Sequence, residues 1–451
     1  MSTVVTVLSF IVIFLTPFLE SRLSFAEPVL PQARSLGSEI PTLQPKDLEK
    51  VSPFSDKEQS VDALSLQQAL SRALMRNPKL AAVSWEWRAR DAAALQAGLL
   101  PNPALRFDLE NFIGTGILSG TDAAEATLSL EQRFETAGKR QKRKKAAMLE
   151  QALTGWDYET LRLDLFTDVT QIFIEVLGDQ EKVALAKDLL DLASQVADVV
   201  TRRVEAGKVS PVEAIKTDVA LSSAKINLNR AERELVASRL ALAAMWGSKQ
   251  ARFKSVTGQL APEESIPSFE QLIARLSQNP ELARWDTELA QRNAVLDLEK
   301  AEAIPDISLS GGFRQFNETD DSALVGGISI DLPFFDRNQG NIRVARVQIL
   351  KAEASRRAAR LRLRTDLAQA HRILATTHSE AKGLKNDLLP GAKKAFEAVR
   401  EGYRLGKFNL LDVFDAQRTL AEARAQYLQT QIDYQKSVAD VERIIGEKLN
   451  N

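Results

Sequence analysis

The sequence predicts a mainly α-helical chain with a small membrane β part, in which long antiparallel coiled-coil helices carry four strands of membrane-spanning length. Three observations predict it. Two helical patterns, from about Lys139 to Glu205 and from about Asn341 to Arg404, run far beyond an ordinary helix. Two pairs of segments alternate apolar and polar residues with the period of a strand. The chain also repeats itself: Asn77-Pro78 returns as Asn279-Pro280, 202 positions later, and the same offset carries Pro103 onto Pro305, Leu105 onto Ile307 and Phe107 onto Leu309. Gly207 and Gly406 stand 199 positions apart, so a helix, strand, strand, long helix, helix unit occurs twice, with a period too long for a solenoid.

Composition narrows the function classes. With 59 basic against 60 acidic residues, a net charge of −1 argues against a nucleic-acid partner. The absence of cysteine excludes disulfides, thiolate metal sites, cysteine nucleophiles and lipid attachment through an N-terminal cysteine. Hydrophobic content of 44% suffices for a core or for a lipid-facing surface.

Taken in order, Val4 to Phe18 is an apolar run of signal-peptide length, and Ser24-Phe25-Ala26 supplies a small-x-small cleavage site, so residues 1–26 are expected to be a signal peptide although the usual Lys or Arg before the run is missing. Residues 27–63, polar and carrying Pro28, Pro31, Pro41, Pro45 and Pro53, read as an extended arm. The first repeat is placed at 64–260, the second at 261–446 and a short tail at 447–451. Helical periodicity begins at Leu66, with Leu70 and Leu74 on one face, and is expected to continue through Asn77-Pro78 to about Pro101 and Pro103.

The strands come next. Leu105, Phe107 and Leu109 interleave with Arg106, Asp108 and Glu110, and Ala126, Leu128 and Leu130 with Thr127, Ser129 and Glu131. In the second half Ile307, Leu309 and Phe313 alternate with Ser308, Ser310 and Arg314, and Ile328, Ile330 and Leu332 with Ser329 and Asp331. Polar, glycine-bearing or acidic loops, Gly114 to Thr121 and Asn317 to Ser322, split each pair. A length of about nine to eleven residues is what a tilted transmembrane strand needs, although a soluble hairpin over a core shows the same alternation. Four strands cannot close a membrane barrel, since an open edge in lipid leaves backbone groups unpaired. Two copies would supply about eight strands and three about twelve.

Each long helical run spans on the order of 90 to 100 Å if unbroken, with Gly178 and Gly383 as candidate bends. The last helix carries a supercoil-spaced seam through Leu410, Val413, Gln417, Leu420, Arg424, Tyr427, Gln431, Tyr434, Val438, Val441 and Ile445, and beside it a second stripe through Leu411, Phe414, Ala421, Ala425, Leu428 and Ile432. Two stripes suit a helix with neighbours on both sides, as in a tube wall; an ordinary four-helix bundle would also show a broad apolar face. Between the rods lie two turns. Gly207 and Gly406 can end a helix in the left-handed conformation. Ser210, with Pro211 at N1 and Glu213 at N3, and Asn409, with Asp412 at N3, are expected to cap the next helix through reciprocal boxes.

The remaining motifs are few. Gly114-Thr115-Gly116-Ile117-Leu118-Ser119-Gly120 has its third glycine misplaced for a dinucleotide loop. His371 and His378, seven apart on a helix, read as solvated positions, and no metal or cofactor site is expected. The run from Lys139 to Lys145 follows a candidate membrane strand, so Lys139, Arg140, Lys142 and Arg143 suit anionic lipid headgroups as well as a solvated helix start. Asp412 and Asp415 share one helix face just past the second turn, as first-turn carboxylates or as part of a ring across a pore.

Together the Asn-Pro repeat, the strand pairs, Leu332-Pro333-Phe334-Phe335-Asp336, Glu135-Thr136-Ala137-Gly138-Lys139-Arg140 and the two Gly-Lys turns resemble the TolC family of outer-membrane efflux proteins over about Leu64 to Gly446. The resemblance implies a homotrimer with a 12-stranded β-barrel in the outer membrane and a long periplasmic α-barrel. It implies a non-enzymatic exit duct working with a periplasmic adaptor, or membrane fusion, protein and an inner-membrane RND-type transporter. Asp412 and Asp415 match constriction residues, and Tyr403 and Glu213 match closed-state tip contacts. Val204, Gly207, Lys208 and Ser210 of one turn, with Leu405, Gly406, Lys407 and Asn409 of the other, match adaptor-docking tips. Phe408 stands where relatives can carry an arginine. The Gly138-Lys139-Arg140 segment is similar to the cobalt-zinc-cadmium cation-efflux branch. The rival expectation is a periplasmic coiled-coil scaffold without a pore.

Overall fold

The computed structural model describes residues 61–449. The expected signal peptide, the arm as far as residue 60, and residues 450 and 451 lie outside the described residues. The first repeat comprises β1 (Val61–Ser65), α1 (Leu66–Arg76), α2 (Pro78–Ala97), β2 (Ala104–Glu110), β3 (Glu125–Phe134), α3 (Lys139–Glu205), α4 (Pro211–Ala244) and β4 (Phe253–Thr257). The second comprises α5 (Phe269–Arg275), α6 (Pro280–Glu302), β5 (Ile307–Phe316), β6 (Ser322–Ile330), α7 (Gln339–Gly383), α8 (Leu389–Arg404) and α9 (Leu410–Ile445).

The Asn-Pro pair breaks the first helix instead of lying within it. Asn77 is extended (φ −67°, ψ 123°), and its side chain accepts from the N–H groups of Lys79 and Leu80 while Pro78 opens α2. Proline at N1 gives up only an N–H that would have no helical partner. The Asn77 amide then donates to the Met245 carbonyl at 2.8 Å, and its repeat partner Asn279 donates to Ile444 at the same distance. Each Asn-Pro thus ties the entry of its repeat to that repeat's last helix. The arm also contributes more than expected, because Val61–Ser65 pairs in parallel with β4.

The two hairpins merge into one antiparallel sheet of order β2-β3-β5-β6, leaving β2 and β6 as open edges. Strands β3, β5 and β6 have 10, 10 and 9 residues, but β2 has only 7. A left-handed Asn111 (φ 57°) follows it. Leu332 falls past the end of β6, in the turn toward α7, while Ser322 joins the strand.

Helix α3 runs unbroken for 67 residues, on the order of 100 Å. Gly178 is no bend: a Cβ there would fall 2.4 Å from Ile432 Cδ1, so glycine lets α9 approach. Gly383 does border an irregularity, a π-turn over Leu384–Leu388 that joins α7 to α8. Pro390 explains it, since its ring displaces the carbonyl of the preceding turn and it has no N–H to donate.

The helices pack side by side in two rows. Nearer the sheet the order is α2, α3, α6, α7; farther away it is α4, α3, α9, then α7 and α8. Where the rows meet, Leu74, Phe166, Phe173, Val176, Trp246 and Phe253 form the largest core. Leu272, Leu367, Leu374, Tyr434 and Ile445 form a second, and Val196, Val200, Phe396, Val413 and Leu420 a third toward the turns.

Candidate functional site

Both far turns close in the same way. Gly207 (φ 64°) and Gly406 (φ 79°) are left-handed, with Lys208 N–H bonded to the Arg203 carbonyl and Lys407 N–H to the Gly402 carbonyl, each at 2.8 Å. This is the bonding that terminates a helix through a glycine at C′. Of the two caps that follow, one is as expected and one is not. Asn409 and Asp412 form the reciprocal box, 3.0 Å each way. Ser210 instead accepts only from Val212 N–H at 3.3 Å, which leaves Glu213 outside any box.

Glu213 is engaged elsewhere: the Tyr403 hydroxyl donates to its carboxylate at 2.9 Å. Tyr403 is 4% exposed, and burial together with the neighbouring Glu213 charge pushes its pKa up to about 12. The guanidinium of Arg203 lies 4.4 Å from the Tyr403 ring centroid and donates to the Tyr403 carbonyl. Thus α3, α4 and α8 meet in one cluster of three polar side chains. Sequence reasoning missed Arg203, whose only signal is its place one turn before Gly207. Phe408, in the turn, folds back over α8, so tightly that a Cβ on Gly402 would meet the ring at 2.2 Å. Asp415 is exposed and pairs with Arg418 at 2.6 Å, while Asp412 gives one oxygen to its cap. Lys208, Ser210, Leu405, Lys407 and Asn409 are exposed around the two glycines, with Val204 half-buried.

At the other end the sheet has two unlike faces. The register puts Leu105 beside Leu130, Phe107 beside Leu128, Leu128 beside Phe313, and Phe313 beside Leu324, so one face is apolar across all four strands. It is open in the single chain, with Leu105 at 72% and Ile328 at 73% exposure. On the opposite face Arg314 donates to Thr127, Glu125 and Glu110 at 2.8, 2.9 and 3.0 Å. Among the described residues no helix is long and apolar enough to cross a membrane.

The junction between sheet and helices corrects the reading of the basic run. Lys139 is only 4% exposed and pairs with Asp306 at 2.8 Å and Glu302 at 3.6 Å. Arg143 pairs with Glu135 at 2.6 Å and donates to the Ala97 carbonyl. Both are occupied within the chain, Lys139 because a buried cation must be paired and the half-buried Arg143 through its ion pair with Glu135, so neither is free for a headgroup. Arg140 is exposed and Lys142 half-exposed. Nor are the histidines simply solvated: both are half-buried, with Nε2 of His371 and His378 bonded to the carbonyls of Pro267 and Glu263 at 3.1 and 2.9 Å.

With this geometry in place, the comparisons with known proteins agree in kind. A family model described as "Outer membrane efflux protein" matches residues 69–248 and 274–447. The cobalt-zinc-cadmium resistance protein CzcC of Cupriavidus metallidurans is 36% identical, over 85% of this chain and 90% of that protein. Among solved structures, a membrane protein from Pseudomonas aeruginosa superposes with a TM-score of 0.72 at 20% identity, covering 96% of this chain and 97% of that one. CusC, described in terms of transmembrane channel formation, superposes with a TM-score of 0.69 at 17% identity, covering 88% and 97%.

Proposed function

The chain belongs to the outer membrane efflux protein family, and from that premise we propose that three copies form the exit duct of a tripartite RND-type efflux system. The observation that carries this reading is that one chain builds a wall unfinished on both sides at every level. One flank consists of β2, α2 and α4; the other consists of β6, α7 and α8. Two open sheet edges would be untenable in lipid, and each flank also shows apolar side chains: Trp85, Leu95, Ile215 and Val219 on the first, Leu350 and Leu361 on the second. Joining the first flank of one copy to the second flank of the next completes sheet and helices together. Three copies then make a 12-stranded barrel, its apolar face toward the outer membrane and its polar face toward water, above a periplasmic helical tube.

In this reading the protein is a passive conduit. The transporter in the inner membrane supplies the energy, and a periplasmic adaptor engages the turns at Gly207 and Gly406. The tips open when α8 and α9 part from α3 and α4, which requires the Tyr403–Glu213 and Arg203–Tyr403 contacts to yield, and the carboxylates of Asp412 and Asp415 line the opening. Likeness to CzcC supports cobalt, zinc and cadmium ions as cargo. The pore-free scaffold is disfavoured by the open apolar face of the sheet, which a water-soluble protein would cover.

The test is fractionation with transport. Heat-dissociable trimers are expected in the outer-membrane fraction, and cells lacking the chain should accumulate cobalt, zinc or cadmium and regain tolerance when it is restored. Recovery of a monomer in the periplasmic extract would overturn the duct. Normal metal tolerance with intact trimers would overturn the cargo.

A further inference from the structure

The turn from β6 to α7 carries the least covered aromatic side chains of the described residues. Phe335 is 95% exposed and Phe334 and Leu332 are 68% exposed. The turn nevertheless has a fixed shape. Phe334 N–H bonds the Leu332 carbonyl at 2.9 Å, Asn338 N–H bonds Asp336, Gln339 reaches back to the Phe335 carbonyl, and the Asn338 amide is held by Glu299. The two rings are therefore presented by a braced segment.

A second exposed apolar segment, Leu99-Leu100, lies at the same level on the other flank, just before β2, with Leu99 at 49% and Leu100 at 65% exposure. It too is braced: Leu99 N–H bonds the Gln96 carbonyl, Arg143 donates to Ala97, and Gln132 donates to the Pro101 carbonyl. The topology relates the two. Strand β6 runs toward the helices and β2 runs away from them, so when the edge of β6 meets the β2 edge of a second copy, the residues after Ile330 arrive beside the residues before Ala104. Strands in a closed sheet are staggered, so the match is between turns and not between single residues.

We propose that the Leu332–Phe335 turn of one copy packs on the Leu99–Pro103 turn of the next, forming three apolar staples where strand pairing ends and helix packing begins. The inference rests on the closed sheet proposed above and adds an interface that closure of the strands does not require. It gives the exposed phenyl rings a dry partner at the level where the wall leaves the lipid and enters water.

The chain has no cysteine, which makes the test direct. In trimers isolated from outer membranes, Phe335→Cys is paired in turn with Leu99→Cys, Leu100→Cys and Asn102→Cys, and Ile328→Cys with Leu105→Cys, Phe107→Cys and Leu109→Cys as the strand-edge control. Oxidation should yield covalent dimers and trimers for at least one pair in each set, reversed by thiol. Cross-linking at the strand edges without any at the turns overturns the staple and leaves the duct intact. Failure of both sets overturns the closed sheet and the staple with it. A Phe335→Trp variant adds an independent readout: bromine-labelled phospholipid should leave its fluorescence unchanged, whereas strong quenching would place the ring in the membrane and overturn the staple.

Discussion

Ionisation of Tyr403 is disfavoured twice, by burial and by the Glu213 carboxylate beside it, and the opposing Arg203 charge does not offset them: the pKa rises to about 12. A phenol raised in this way keeps its proton in the folded state, so its contribution is complete below about pH 10, the ordinary tyrosine value, and is lost as pH climbs through about 12. Tyr403→Phe removes the donor and keeps the ring against Arg203. A hydrogen bond to a charged acceptor is worth roughly 1.5–3 kcal/mol, and the half-buried Glu213 puts this one near the lower end. A loss of about 1–2 kcal/mol changes a closed-to-open ratio by about 5- to 30-fold. Planar-bilayer recordings should therefore show a larger open fraction for the variant at neutral pH, and no further alkaline rise of the kind expected for the parent between about pH 10 and 12. Identical records would remove the contact from the gate. Tyr403 and Glu213 were named from the sequence by resemblance, but Arg203 was not, because an arginine near a helix end looks the same whether it faces water or a ring 200 residues away. The same limit hid Asp306, the partner that withdraws Lys139 from the surface.

Element by element, periodicity located the helices and strands because each buries a face with its own period, while breaks inside long helices were misjudged. Glycine alone is ambiguous: it marks either a weak point or a close approach. Gly178 is the second kind, packed against Ile432, whereas the π-turn after Gly383 is accounted for by Pro390, seven residues on. The distinction has a measurable consequence. On propensity alone Gly178→Ala should stabilise α3 by about 0.5–1 kcal/mol. Overpacking against Ile432 costs about 1–3 kcal/mol, so the net effect is a loss, read as a lower temperature of trimer dissociation on gels. Adding Ile432→Val removes the clashing Cδ1 and should recover part of that loss, although Ile→Val alone costs about 0.5–1.5 kcal/mol. Additive losses in the double variant would mean that the two residues are not in contact. The Asn-Pro pairs carry a related lesson: their 202-residue spacing was visible, and so was the local signal for a break, an Asn cap ahead of a proline at N1, but the bond by which the Asn77 amide ties that break to Met245 is tertiary and was not.

Across the whole molecule, counting strands was enough to expect partners, because a sheet of four strands leaves two edges open, which lipid would not tolerate; that β2 stops at 7 residues was not legible from its alternation. Which helices lie on which flank was not legible, since α4 and α9 each show apolar stripes and only packing decides which stripe the chain itself covers. On α9 the chain buries Leu428 and Ile432 but leaves Leu411 exposed. The exposed end of that stripe adjoins the carboxylates proposed to line the tip. Within Leu410 to Arg418 each chain carries Asp412 and Asp415 against the single cation Arg418, a net charge of −1, and Arg418 already holds Asp415 at 2.6 Å. Asparagine at both positions turns that segment to a net charge of +1 per chain, and at position 412 it can still accept the Asn409 N–H, so the cap is kept. In the proposed trimer, three chains would then replace a mildly anionic ring by a cationic one. In asymmetric salt, the double variant Asp412→Asn, Asp415→Asn should shift the reversal potential toward anion preference and weaken block by divalent cations, most clearly at low ionic strength, where the Debye length is about 30 Å at 0.01 M. The same substitutions with Arg418→Gln leave the segment neutral and should return the reversal potential toward zero selectivity. If selectivity and block are unmoved in both variants, these carboxylates do not face the conduit, and the narrowest part of the path must be formed elsewhere along the tips.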